Sequence, residues 1–519
     1  MSRPVINPAE DKPLVALAPV PKALATTLLM LATIIVVLDQ TIATVAIPQM
    51  QATLGATPDT ISWVLTSYIM AGAVAMPLTG YLTGRFGRTR LFGVCIVIFT
   101  ISSTVCGLAV SLPMMVAARV VQGFAGAFLM PMSQAFLYDM NPPSQQVKAV
   151  SLWATGAMIA PMLGPILGGY ITSNFGWRWV FFINLPIGIV TAIGYFAVMP
   201  KFPAMRRSFD GLGFILIAVA LCSLQLALDR GTQEDWFDST EIVFELCMAL
   251  GFFWMAFFHM RRSPHPIIAI SLFANRNFAG AMVIGFFLVG VVLSSVALVP
   301  GLYVNLFGYP VIQAGLMMVP RGISMTIALF LGGRLLKYID GRVLMFVGLL
   351  MVIFALWLNT GFNLQMGNDR IIMTGLIEGA GSGLVMTVLG YLSVSSAPIH
   401  LRTEASAMFT LVRNTGLSAA IAVFSALLVY NTQVNHEELG AALGDNSLRM
   451  PALIGHAEMG ARIATIANAE LTRQAMMIAY VDDFWLMMWA LILMLPVVLI
   501  LSPVRVPRGV AAEPVVIGE

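Results

Sequence analysis

The sequence predicts an all-α membrane protein with fourteen transmembrane helices. Three observations carry that prediction. Fourteen apolar stretches recur along the 519 residues. Hydrophobic residues make up 59% of the chain and charged residues 10%, with a mean hydropathy of +0.88; a soluble domain holds about 25% charged residues. The lysines and arginines are also shared unevenly between the two faces that such stretches define.

In order, the stretches cover 24–47, 61–80, 91–111, 114–138, 149–172, 179–199, 211–228, 241–260, 278–305, 312–335, 343–361, 371–395, 407–430 and 484–503. Each is close to the ~20 apolar residues that cross a bilayer core. Residues 1–22 are polar, proline-rich and mixed in charge. They lack the short apolar core and small-residue cleavage site of a signal peptide, so the first stretch is expected to be retained. Linkers are short except for 431–483, a polar segment long enough for a small folded element. With the N-terminus in the cytoplasm, twenty lysines and arginines fall on the cytoplasmic side, Arg413 among them, and six on the other. The positive-inside rule therefore places both termini in the cytoplasm and 431–483 outside.

Deep inside the stretches lie Asp39, Arg119, Arg321 and Glu378. An ionisable group at bilayer depth costs about 2.5–3.5 kcal/mol on insertion scales, and such groups mark ion and substrate pathways. Buried charges of both signs on many spans point to a pump or transporter, not an anchor. The net charge of +3 is too small to argue for nucleic acid. Cys95, Cys106, Cys222 and Cys247 sit in apolar stretches without ligand spacing, and the five histidines are scattered, so no metal site is expected. No nucleophile elbow or paired metal-binding set supports an embedded enzyme.

Four motifs carry the chemistry. The first stretch ends in Leu38–Pro48, where Asp39 and Gln40 lie among hydroxyl and apolar side chains. Desolvation and a nearby cation act on such a carboxyl in opposite directions, which suits it to proton exchange; a fixed hydrogen-bonded Asp is the alternative. Gly80–Arg90 is a glycine- and arginine-rich loop with Gly80, Arg85, Gly87 and Arg88, and a weak echo follows 253 positions on, at Gly333–Arg342. A repeat at that spacing suggests two related halves. The fourth stretch holds Arg119 with Gln122 three residues on, within reach on one helix face. An arginine there needs a carboxylate, carbonyls or water, and a purely structural stitch between helices is the alternative. The fifth stretch has Gly156, Pro161, Gly164, Pro165, Gly168 and Gly169. Its small residues at i+4 spacing allow close helix approach, and its prolines free backbone carbonyls.

Together these segments resemble the major facilitator superfamily, and within it the fourteen-span drug:proton antiporters of the EmrB-like type. Leu38–Pro48 resembles the first-span motif, Gly80–Arg90 the loop motif, Arg119–Gly126 the fourth-span motif and Gly156–Gly169 the antiporter motif. Trp177–Gly188, Leu228–Gly231, Asp235–Phe237, Ser271–Phe273 and Arg276–Phe278 extend the match over nearly the whole chain. The resemblance implies two six-helix bundles, 1–200 and 277–519, with two inserted helices in 201–276. It implies alternating access, no cofactor beyond a proton gradient, and export of hydrophobic or amphipathic compounds across a bacterial inner membrane. An exporter of a narrower endogenous substrate, such as fatty acids or a siderophore, is the alternative. It further implies a periplasmic membrane-fusion adaptor and, through it, an outer-membrane channel. An amphipathic stretch at His456–Tyr480 could meet that adaptor or pack on its own protein.

In this reading Asp39 carries the proton and Arg119 is its electrostatic partner. Glu378 is a second coupling candidate, while Gln40, Gln122 and Arg321 line the cavity or gate it. Two departures stand out. Gly84 occupies the position where the loop motif usually has Asp, and Lys337 occupies it in the echo, so a charge lock between the halves is in doubt. Glu378 stands where relatives more often carry Gln, and it either titrates or acts as a protonated substitute.

Overall fold

The structure, a computed structural model, describes residue 13 and residues 19–200, 208–447 and 457–504. Among the described residues every long element is a helix. The first half holds α1 (Pro19–Leu54), a second span in three pieces, α2 (Pro58–Ile61), α3 (Trp63–Ala75) and α4 (Thr79–Phe86), then α5 (Arg88–Gly107) and α6 (Leu112–Met140). It closes with α7 (Pro143–Phe175), the short α8 (Trp179–Phe182) and α9 (Asn184–Val198). Two helices follow, α10 (Gly211–Arg230) and α11 (Thr240–Arg262). The second half holds α12 (Arg276–Asn305), α13 (Val311–Leu335), α14 (Gly341–Asn359), α15 (Asn368–Ser395), α16 (Arg402–Ser447), α17 (Ala457–Ile492) and α18 (Leu495–Ile500).

Thirteen helices among the described residues are long and apolar enough to cross a membrane. The remaining crossing is α7. It starts beside Asp139 and Asn141 and ends at Gly176, next to Arg178, whose guanidinium donates to the Ala109 carbonyl. Ala109 lies past the far end of α5, whose first turn holds Arg88 beside Asp139. α7 therefore passes from one face to the other. The start of α1 and Val504 share the Asp139 face: Ser133 bonds the Leu29 carbonyl, and Gly341 N–H bonds the Val504 carbonyl. We call this the terminal face.

Local signals set the breaks between helices. Gly87, between α4 and α5, has φ +81°, a backbone conformation that side chains with a Cβ rarely adopt. Asp210 caps α10 by accepting from Gly213 N–H at 2.9 Å, and Asp340 caps α14 by accepting from Arg342 N–H at 3.0 Å.

Within 431–483 the described residues are helical and form no loop. α16 runs unbroken for 46 residues and α17 for 36, so the described parts of the polar stretch, 431–447 and 457–483, continue two spans away from the terminal face. At about 1.5 Å per residue α16 is roughly 69 Å long, more than twice a bilayer core. His436 and Asn468 hydrogen-bond at 3.0 Å between the two extensions. His456, the start of the amphipathic stretch, lies outside the described residues.

α10 packs against α11, against α3 of the first half and against α16 of the second, while α11 leans mainly on α10. The inserted pair therefore flanks the junction of the halves. The halves themselves meet through α7 on α13 and α15, and through α6 on α16.

Candidate functional site

Two buried acid–arginine pairs stand out, one in each half. In the first, Asp39 of α1 meets Arg119 of α6 at 2.6 Å, with both side chains sealed from solvent. Asp39 also accepts from Gln122 Nε2 at 2.9 Å and from Asn184 Nδ2 at 2.8 Å. Arg119 donates to the Val64 carbonyl at 3.0 Å and to Gln122 Oε1 at 2.8 Å. Its remaining nitrogen, Nη2, has no hydrogen-bond partner. The guanidinium instead lies over the Tyr68 ring, 4.1 Å from its centroid, which recovers part of that loss. Gln40 does not join the carboxylate; it reaches the Tyr68 hydroxyl. Four helices thus hold one charge pair, and none of the bonds to Asp39 is local in sequence.

The antiporter-type helix supports this pair from behind. A Cβ on Gly164 would clash with Thr41 Oγ1, a Cβ on Gly168 would sit 3.3 Å from Val45 Cβ, and one on Gly156 would sit 2.7 Å from Met30 Cε. The small-residue stripe of α7 is therefore the seat of α1, in contact two residues from Asp39. Gly169 meets nothing within 4 Å, so it is outside that seat. α7 stays helical through Pro161 and Pro165.

In the second half Arg321 of α13 donates to Glu378 of α15 at 2.7 Å, to the Val292 carbonyl at 2.7 Å and to Ser295 Oγ at 3.1 Å. Unlike Asp39, this pair borders a small cavity, shared with Tyr303, Asn359, Phe362 and Thr374. The Pro320–Gly322 stretch does not break the span: α13 is continuous through it.

The loop motif does build a lock, by a different route from the one its sequence suggested. Asp139, at the end of α6, is fully buried and bridges Arg88 of the first half at 2.5 Å and Arg402 of the second at 3.1 Å. Glu404 of α16 lies over Gly80, where a Cβ would sit 2.8 Å from its carboxylate oxygen, and it accepts from Ala269 N–H at 2.7 Å. The missing acid at Gly84 is thus made good by Asp139. Arg85 stays exposed and bonds Tyr81 at 2.9 Å. The echo plays the matching part, with Gly333 tight against Ser151 of α7.

Several groups escaped the sequence reading. Asn184 lies in the quoted Trp177–Gly188 segment, and Asp139 marks the end of an apolar run; only the fold shows their partners. Asp483 was expected in the outward loop, yet it is 2% exposed within α17, and neither carboxylate oxygen has a partner among the described residues. Arg413 was expected at the cytoplasmic edge, yet it lies eleven residues into α16 and contacts Met130 of α6.

The model of the major facilitator superfamily matches residues 29–423. The chain belongs to that superfamily, a family of membrane transporters. It is 32% identical over 421 residues to the multidrug export protein EmrB of Haemophilus influenzae, covering 80% of this chain and 82% of that one. It is also 32% identical over 487 residues to the fatty acid resistance protein FarB of Neisseria gonorrhoeae, covering 91% and 94%. Among solved structures it superposes on the proton:xylose symporter XylE with a TM-score of 0.59 at 14% identity, covering 94% and 97%. That likeness shows the superfamily fold.

Proposed function

We propose that this chain is a proton-coupled exporter of hydrophobic and amphipathic compounds, multidrug in range, in the bacterial inner membrane. The observation that carries the reading is the Asp39–Arg119 pair, sealed in one half and seated on the α7 stripe. A buried carboxylate must be neutralised, and either the Arg119 cation or a proton can do it. Movement of α1 against α6 would exchange one for the other. The EmrB relatives support drug export, and the FarB relative supports fatty acids as a narrower substrate.

The terminal face is cytoplasmic in this reading, on the strength of the lysine and arginine distribution. The inter-half hydrogen bonds among the described residues then cluster at the cytoplasmic side, which corresponds to an outward-facing state. The α16 and α17 extensions project into the periplasm, where they would dock a membrane-fusion adaptor leading to an outer-membrane channel. Excising part of 442–464 tests that: export in proteoliposomes should persist while resistance in cells is lost.

The central test is Asp39→Asn in proteoliposomes under an imposed pH gradient. Gradient-driven export should cease while the variant stays folded and still binds substrate. Full antiport in that variant would remove Asp39 from the coupling mechanism.

A further inference from the structure

Three sets of charged side chains inside the two halves and at their junction are matched. Arg119 has Asp39, Arg321 has Glu378, and Arg88 shares Asp139 with Arg402. Arg413 breaks the pattern. Among the described residues its one hydrogen bond is to Met130 Sδ across the junction of the halves, at 3.1 Å, and no carboxylate among them lies within ion-pair distance. A thioether sulfur is a weak acceptor and carries no charge.

Its position is as informative as its lack of a partner. α6 and α16 run antiparallel and touch in a ladder that climbs from the terminal face. Asp139 meets Arg402, then Gln134 Oε1 accepts from Ser406 at 2.7 Å, then Met130 meets Arg413. Tyr138 to the Tyr391 carbonyl and Gln134 to the Gly390 carbonyl thicken the lower rungs. Beyond Met130–Arg413 no described hydrogen bond joins α6 to α16. Further along, α16 turns to α12, where Gly416 packs against the Phe286 backbone. Eleven residues of helix from Arg402 amount to about 16 Å, near the middle of a ~30 Å core. Arg413 is only partly accessible at that depth, and the cost of holding its guanidinium there falls only if an anion joins it. It is the topmost hydrogen-bonded rung described between α6 and α16, and in the outward-facing reading it would floor the cleft above.

An arginine at bilayer depth without a carboxylate is costly, and a ligand that brings the missing anion removes that cost. The planar guanidinium offers paired donors suited to a carboxylate or sulfonate. We propose that Arg413 is the anion-recognition residue of the transport cleft, selecting amphiphiles with a single negatively charged headgroup on an apolar body. This rests on the export reading but names a substrate class for it. It also gives a reason for the site's place: an anion bound to Arg413 sits where the two halves part, so it contacts both α6 and α16.

The experiment uses the full chain in nanodiscs and proteoliposomes with two fluorophore-bearing probes of equal chain length. One is an alkyl sulfonate and the other an alkyl trimethylammonium. Arg413→Gln should weaken sulfonate binding about ten- to a hundredfold, the loss expected for a charge-assisted hydrogen bond, and leave the ammonium probe unchanged or tighter. Arg413→Lys keeps charge without the fork and should fall between the two. Unchanged sulfonate affinity in Arg413→Gln, or equal losses for both probes, would overturn the proposal. If Arg413→Gln does not fold, the Lys variant decides, since full sulfonate affinity there rules out the guanidinium geometry. Failure of the wild type to move either probe under a pH gradient would sink the export reading, while the binding ratio still reports on Arg413.

Discussion

Replacing Asp139 by Asn should open the terminal face. The carboxylate is fully buried and divides its two oxygens between Arg88 at 2.5 Å and Arg402 at 3.1 Å. The Arg402 arm crosses from one half to the other directly, whereas Arg88 reaches the second half only through Thr403 Oγ1 at 3.5 Å, the limit of a hydrogen bond, so the Arg402 arm carries most of the crossing. A hydrogen bond to a charged group contributes about 1.5–3 kcal/mol. The Arg402 side chain is 18% exposed, which calls for a discount for solvent screening, leaving about 1–2 kcal/mol. That corresponds to about a 5–30-fold shift in the balance between closed and open terminal faces. Spin labels at Arg90 and His400, exposed and in opposite halves, would report the distance distribution in nanodiscs. Asp139→Asn should raise the long-distance population by that factor. Arg402→Gln should do the same, because it removes the main crossing arm, and with it the guanidinium over the Tyr138 ring, while leaving Arg88 on Asp139. Arg342→Gln should not, because Arg342 donates to the Leu501 carbonyl within its own half. Unchanged distributions in both Asp139→Asn and Arg402→Gln would refute the lock.

Other outcomes follow from packing and burial. Gly164→Leu must drive a side chain into Thr41 and should cost about 1–3 kcal/mol and most transport, whereas Ile166→Leu, at a half-exposed position, should change little in thermal unfolding or export. Asp483→Leu should raise thermal stability by about 1–3 kcal/mol, since both buried oxygens lack partners, and a drop in melting temperature would show that the carboxyl is satisfied in solution. Burial would raise the Asp210 carboxyl, but the Gly213 N–H and His259 at 2.8 Å outweigh it and hold the group below its usual value. The stabilisation it gives is therefore present above the ordinary carboxylate range and lost as pH falls through the lowered value. Hydrogen exchange in the first turn of α10 should rise over that acidic window, and Asp210→Ala should show the raised exchange at every pH.

The spans were legible in the sequence because apolar length is a local property. The acid–base pairings were not. Asp39 and Arg119 are each conspicuous as a charge in an apolar run, but their contact spans 80 positions and depends on how α1 crosses α6. Asn184 gives no local sign at all, since an asparagine at a helix start is ordinary until the fold turns it toward Asp39. The outer helical extensions were hidden for a different reason. Residues 431–447 carry asparagine, glutamate and histidine, so the apolar signal stops while the helix continues. The same habit of ending a span at its first charges put Asp483 in a loop, while Arg413 was counted with the cytoplasmic side although it lies inside the 407–430 stretch. Asp139 was missed as a lock because the familiar acid was sought at Gly84, in the loop itself and not on the helix facing it.

One helix joins the two ends of this molecule. α16 begins at Arg402, in the lock, passes Arg413 at the cleft floor, and continues without interruption to Ser447. It is a rod whose first turns lie among the lock residues and whose length exceeds twice a bilayer core of about 30 Å. Tilting a rod of about 69 Å by some 5° displaces its tip by about 6 Å. A swing of that size is as wide as a helical turn, large enough to make or break a contact with whatever stands at the outer end. In the proposed cycle, any tilt of α16 that opens the lock would therefore be felt at its far tip.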